Sequence, residues 1–177
     1  MKISLLGLGL VAALLLPLGT SCQKDPAAHA GAPTPNTTMD DRGAPSAPAP
    51  ADPANATPKT SAQGKGYQLS VQPPGDAPAG APSIVQLVLR PMAGYHVNKE
   101  FPTSLEISAT AGIDVAKAKQ TPADAAKFED DGAAFEIKFT PSVAGTAKFT
   151  AVFKFAVCTE TTCEPSRETL AWNVPVK

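Results

Sequence analysis

Apolar and polar positions alternate along the C-terminal two-thirds of the chain and nowhere else. Tyr67, Leu69 and Val71 alternate with polar partners, 84–89 is a denser apolar run, and Leu105 and Ile107 alternate again before Ala111-Gly112. Phe135, Ile137 and Phe139 alternate with Glu136 and Lys138. Over 147–157, Ala147, Phe149, Ala151, Phe153, Phe155 and Val157 share one parity, and Leu170, Trp172, Val174 and Val176 repeat the pattern at the end. A two-residue period broken by Pro and Gly belongs to half-buried strands joined by tight turns. About seven short strands over 66–177 predict an all-β domain, an immunoglobulin-like β-sandwich in which each sheet buries one face. Helix is predicted only as a short turn over 121–127, where Pro122 stands at the start.

The N-terminal third reads differently. Lys2 precedes an unbroken apolar run over 5–18, and Gly19-Thr20-Ser21 then leads to Cys22. A positive start, an apolar stretch and small residues make a secretory leader, and the run is shorter than the roughly 20 residues a spanning helix needs. A cysteine placed directly after those residues resembles the lipobox of bacterial lipoproteins, so residues 1–21 are expected to be removed and Cys22 to be lipidated. More than one acyl chain makes such an anchor stable. Gln23 after the cysteine resembles lipoproteins sorted to the outer membrane, which places the protein on the periplasmic side of a bacterial membrane.

Residues 23–65 hold eight Pro and eleven Ala, with Met39 the one large apolar side chain. Such composition cannot offset the entropy of ordering, so 22–65 are expected to be a lipid-anchored, disordered linker and 66–177 the single folded domain. A formal net charge of −1 with no Lys/Arg run excludes nucleic-acid binding by electrostatics.

Two cysteines remain, Cys158 and Cys163, separated by Thr159-Glu160-Thr161-Thr162. Carried forward from 147–157, strand parity puts Cys158 with Lys148 and Lys154 on the solvent side, and Glu164-Pro165 keeps Cys163 extended. The pair therefore flanks a hairpin tip at a separation a disulfide can bridge, and in an exported protein that disulfide forms. A loop of about six residues gains only roughly 2 kcal/mol from closure, the low end for disulfides. Two readings follow: a carrier of reducing equivalents, or a structural clip in a binding or scaffold domain. Glu160 and Glu164 stand beside the pair and Arg167 is the one cation close in sequence, so neither thiol is expected to be a strong resting nucleophile. A blue-copper site needs two His and a Cys, and the domain holds only His96, so neither metal nor cofactor is expected.

Gly94-Tyr95-His96-Val97-Asn98, the Cys158/Cys163 pair, Glu164-Pro165 and the closing strand together resemble the periplasmic N-terminal domain of the DsbD family of thiol:disulfide interchange proteins. The likeness covers 66–177. It implies an immunoglobulin-like domain whose two redox cysteines, Cys158 and Cys163, lie on neighbouring strands, take electrons from a membrane donor and reduce periplasmic thiol proteins. It also implies an aromatic cap over the cysteines, for which Phe128, in Phe128-Glu129-Asp130-Asp131-Gly132, is the candidate, the alternative being that its ring simply packs at the edge of the sheet. Full-length members continue into transmembrane helices and a thioredoxin-like domain. Here the donor would be a separate thioredoxin-like or DsbD-type membrane protein.

Overall fold

The computed structural model describes residues 52–177; the leader, Cys22 and the linker up to residue 51 lie outside the described residues. Eleven strands run β1 (Ser61–Gly64), β2 (Tyr67–Gln72), β3 (Ser83–Pro91), β4 (His96–Val97), β5 (Ser104–Ala109), β6 (Ile113–Val115), β7 (Lys119–Gln120), β8 (Lys127–Glu129), β9 (Gly132–Pro141), β10 (Gly145–Cys158) and β11 (Cys163–Val176). They form two sheets in which every strand pair is antiparallel. The first has the order β1-β2-β3-β9-β6, with β8 also on β9; the second has the order β11-β10-β5-β7, with β4 also on β10. This is the expected immunoglobulin-like β-sandwich.

The alternating apolar residues meet between the sheets. Three edge-to-face aromatic pairs join one sheet to the other: Tyr67 on Phe155 at 4.8 Å, Phe135 on Phe153 at 5.4 Å and Phe139 on Phe149 at 5.0 Å between ring centroids. Trp172 stacks on Phe149 at 5.3 Å and extends the aromatic layer to β11. Such pairs add about 0.5–1.5 kcal/mol each beyond the area they bury. The expected helical turn is a single 3-10 turn, Pro122–Asp124, whose Asp124 carboxylate accepts from the Thr121 backbone N–H at 2.9 Å. Lys127, expected within that turn, begins β8 instead.

Two expectations are corrected. The ordered domain starts before residue 66. Lys59 exchanges backbone hydrogen bonds with Ala171 on β11, at 2.7 and 3.0 Å, and β1 then pairs with β2. The chain thus leads from the edge of the second sheet to the edge of the first. β1 escapes the apolar pattern because Ser-Ala-Gln-Gly carries no large apolar side chain; backbone hydrogen bonds hold it. The second correction concerns strand parity. Thr150, Val152, Ala156 and Cys158 share the parity assigned to solvent, yet all four are buried, Cys158 at 4% exposure. β10 lies between β11 on one side and β5 and β4 on the other, so short side chains on its outer face are shaded by neighbours. Among these positions Lys148 and Lys154 alone are half-buried.

Candidate functional site

The β10–β11 hairpin pairs fourteen residues on each strand and ends with Cys158 directly opposite Cys163. The two are joined as a disulfide with their Cα atoms 4.0 Å apart. Beyond them the tip closes on itself. The Thr159 backbone N–H donates to the Thr162 carbonyl at 2.8 Å, and the Thr159 hydroxyl oxygen accepts from the Thr161 and Thr162 N–H groups at 3.3 and 3.1 Å. A threonine-capped four-residue tip fixes the register that brings the sulfurs together.

The two cysteines differ sharply in environment. Cys158 is buried beside β4, whose His96 stands opposite it in the sheet, while Cys163 is exposed. Exposed Cys163 borders a concavity of about 370 Å³ that also takes in His96, Asn98, Lys99, Asp130 and Glu160. One wall is the turn after β4. Asn98 is fixed there three ways: its N–H donates to the Ala156 carbonyl at 2.9 Å, and its Oδ1 accepts from the Glu100 and Phe101 N–H groups at 2.9 and 3.1 Å. The remaining atom, Nδ2, points to Cys163 Sγ at 3.7 Å.

The β8–β9 turn adjoins it and adds Asp130 to the lining. The Val97 N–H donates to the Asp130 carbonyl at 2.9 Å, and Lys99 Nζ sits 3.1 Å from the Asp130 carboxylate. That carboxylate is the first cause of the raised Lys99 pKa, so the ammonium is held charged. On β11, Glu164 pairs with Lys65 from the β1–β2 turn and raises its pKa in the same way. Sequence proximity named Arg167 as the one neighbouring cation; the fold brings Lys99 and Lys65 to the same end.

Phe128, the expected cap, does not line this concavity. Its half-buried ring lies at the margin of the core, 6.4 Å from Phe135 in an edge arrangement. β8 pairs with β9 so that Phe128 stands opposite Ala133, which turns the ring onto the sandwich, and Asp130 two residues on is the group that reaches the disulfide end. Asn98 and Asp130 are the site residues that sequence reasoning missed. Asn98 lies within the motif quoted for the family resemblance, but its distance of 65 residues from Cys163 leaves no spacing signal.

No family model matches the chain, and no curated protein matches it. Among solved structures it is similar to the GAE domain of GGA2p from Saccharomyces cerevisiae, at 8% identity and TM-score 0.40 over 64% of this chain and 94% of that one. It is also similar to AggA, the major subunit of aggregative adherence fimbriae type I from Escherichia coli, at 12% identity and TM-score 0.35 over 63% and 94%. A cohesin module from a Clostridium perfringens family 33 glycoside hydrolase gives 10% identity and TM-score 0.32 over 63% and 96%. Likeness at this level carries no functional argument.

Proposed function

We propose that the domain is an exported thiol:disulfide interchange module of the DsbD N-terminal type, carrying reducing equivalents through Cys158 and Cys163. Its donor is a separate thioredoxin-like or DsbD-type membrane protein, its acceptors are periplasmic thiol proteins, and lipidated Cys22 tethers it at the periplasmic face of a membrane. One observation carries this reading: both cysteines of the disulfide line one concavity, and of the two Cys163 is the exposed residue and Cys158 the buried one. Exchange depends on access as well as on thiol chemistry, and this arrangement gives one direction of approach.

The step balances as follows. A donor thiolate attacks Cys163 Sγ; a mixed disulfide forms, the Cys158–Cys163 bond breaks, and Cys158 leaves as a thiolate that takes a proton from water. A second donor thiolate then attacks the donor sulfur of the mixed disulfide and releases Cys163. The donor is oxidised to a disulfide and the pair is reduced to two thiols. An acceptor disulfide runs the sequence backwards and removes the same two electrons.

The burial difference selects the trapping variant. Cys158→Ala leaves the exposed Cys163 free and is expected to accumulate mixed disulfides with a thioredoxin-like protein when thiols are trapped in cells. Absence of any specific adduct, together with a potential below about −300 mV against glutathione, would assign the bond instead as the structural clip of a binding or scaffold lipoprotein.

A further inference from the structure

We propose that Asn98 is a catalytic residue of the reduced domain, its side-chain amide donating a hydrogen bond that stabilises the Cys163 thiolate. The assignment rests on the interchange reading for its purpose and on geometry for its substance. An asparagine side chain has one acceptor oxygen and one donor nitrogen. Here the oxygen is committed twice, to Glu100 N–H at 2.9 Å and Phe101 N–H at 3.1 Å, and the backbone is anchored on β10 through the Ala156 carbonyl. With the oxygen so held, the amide has one remaining orientation, and in it Nδ2 lies 3.7 Å from Cys163 Sγ. A donor aimed in advance at an atom that gains negative charge needs no reorganisation when the charge develops.

The surrounding charges make that donor matter. Lining the concavity with the cysteines are His96 on β4, Lys99 and Glu100 on the following turn, Asp130 from the β8–β9 turn and Glu160 on the hairpin tip, while Glu164 on β11 is the strand neighbour of Cys163. Lys99 is engaged by Asp130 and Lys65 by Glu164, so both cations at this end are committed to carboxylates. Glu100 and Glu160 add negative charge that opposes a thiolate. A neutral donor on the sulfur offsets that repulsion without attracting further anions. When the reduced domain meets an acceptor disulfide, the Cys163 thiolate attacks one acceptor sulfur and releases the other as a thiolate. Cys158 then loses its proton to water and attacks Cys163 Sγ, re-forming the bond and releasing the second acceptor sulfur. Asn98 acts on the first of these attacks by raising the thiolate fraction.

The test is iodoacetamide alkylation of the reduced mature protein across pH, with Cys163 and Cys158 peptides quantified separately by mass. Asn98→Asp keeps the capping oxygen and replaces the donor. Cys163 alkylation at pH 7.5 is expected to slow about tenfold, with the midpoint of its rate–pH profile rising by about one pH unit. Asn98→Ser is neutral, still caps the turn and is too short to reach the sulfur; it is expected to slow Cys163 about threefold, part of the charge-assisted bond being lost without added repulsion. Unchanged Cys163 profiles in the folded variants, or a change in Asn98→Asp with none in Asn98→Ser, overturn the assignment. If the midpoints move as stated while Cys158→Ala traps no thioredoxin-like protein, the interchange reading and with it the catalytic role fall, and Asn98 stands only as a donor that stabilises the Cys163 thiolate. If trapping succeeds with unmoved midpoints, the assignment falls alone.

Discussion

At the scale of single residues, strand parity misplaced Cys158, and the cap position that the family resemblance implied for Phe128 differs from where its ring lies. Parity along a strand tells which face a side chain occupies, not whether that face is covered, and the neighbours of a central strand shade its small side chains. Cys158 is accordingly buried on the outer face of its sheet. Phe128 sits in a short strand whose pairing with β9 fixes its direction, and its ring meets Phe135 instead of the sulfurs. Phe128→Ala is therefore expected to cost about 2 kcal/mol, less than a fully buried Phe because the ring is half-buried, and to leave the rate of reduction by dithiothreitol unchanged. Urea unfolding and reduction kinetics on the same preparation check both halves. A faster reduction at unaltered stability would restore the aromatic cap.

At the scale of elements, long alternating runs were legible and short strands were not. β2, β3, β9, β10 and β11 each place several large apolar residues on one face, so hydrophobic periodicity finds them. β4 and β7 have two residues each, and β1 has only Ala62 as an apolar residue; backbone pairing and turn geometry decide such elements. The β1–β2 connection shows what could have been read. Gly64 pairs with Tyr67 across the two-residue turn Lys65-Gly66, and Gly66 has φ of +84°, where a side chain is strained. A Cβ added there would also come within 2.3 Å of the Tyr95 ring. Gly66→Ala is expected to destabilise the domain by about 1–3 kcal/mol, measured by thermal or urea unfolding. A neutral result would mean that the turn relaxes and β1 contributes little. The disulfide hairpin was legible from cysteine spacing and from Glu164-Pro165, which keeps Cys163 extended. The walls around it were not, because Asn98 and Asp130 arrive from turns that only the folded sandwich brings to that end.

At the scale of the whole molecule, a half-buried polar tie lies on the side of the sandwich where β2 faces β11, and its chemistry makes a pH-dependent prediction. Tyr67 on β2 donates its hydroxyl proton to Glu168 on β11 at 2.7 Å, while its ring packs edge-on against Phe155 at 4.8 Å. Lys59, from the segment that leads into β1, completes the tie with an ammonium 3.0 Å from Glu168. Burial first, and then the hydrogen bond to Glu168, push the Tyr67 pKa up to about 12 from its ordinary value of 10.0. Both causes favour the neutral phenol: burial disfavours a phenolate, and the hydrogen bond needs the proton. Because the folded pKa lies above the unfolded one, the unfolded state loses this proton first as pH rises. The stabilisation is present in full below about pH 10 and is lost progressively as pH climbs through 12. Two pKa units correspond to about 2–3 kcal/mol. Tyr67→Phe keeps most of the ring contact and cannot ionise, so its stability should lack this component. The difference in unfolding free energy between wild type and Tyr67→Phe is expected to be constant from pH 7 to 9 and to shrink by about 2–3 kcal/mol between pH 10 and 12. Lysines that titrate in the same range act on both proteins and cancel in the difference. A difference that stays flat to pH 12 would show that folding leaves the Tyr67 pKa unraised and that the hydrogen bond to Glu168 adds no pH-dependent stability.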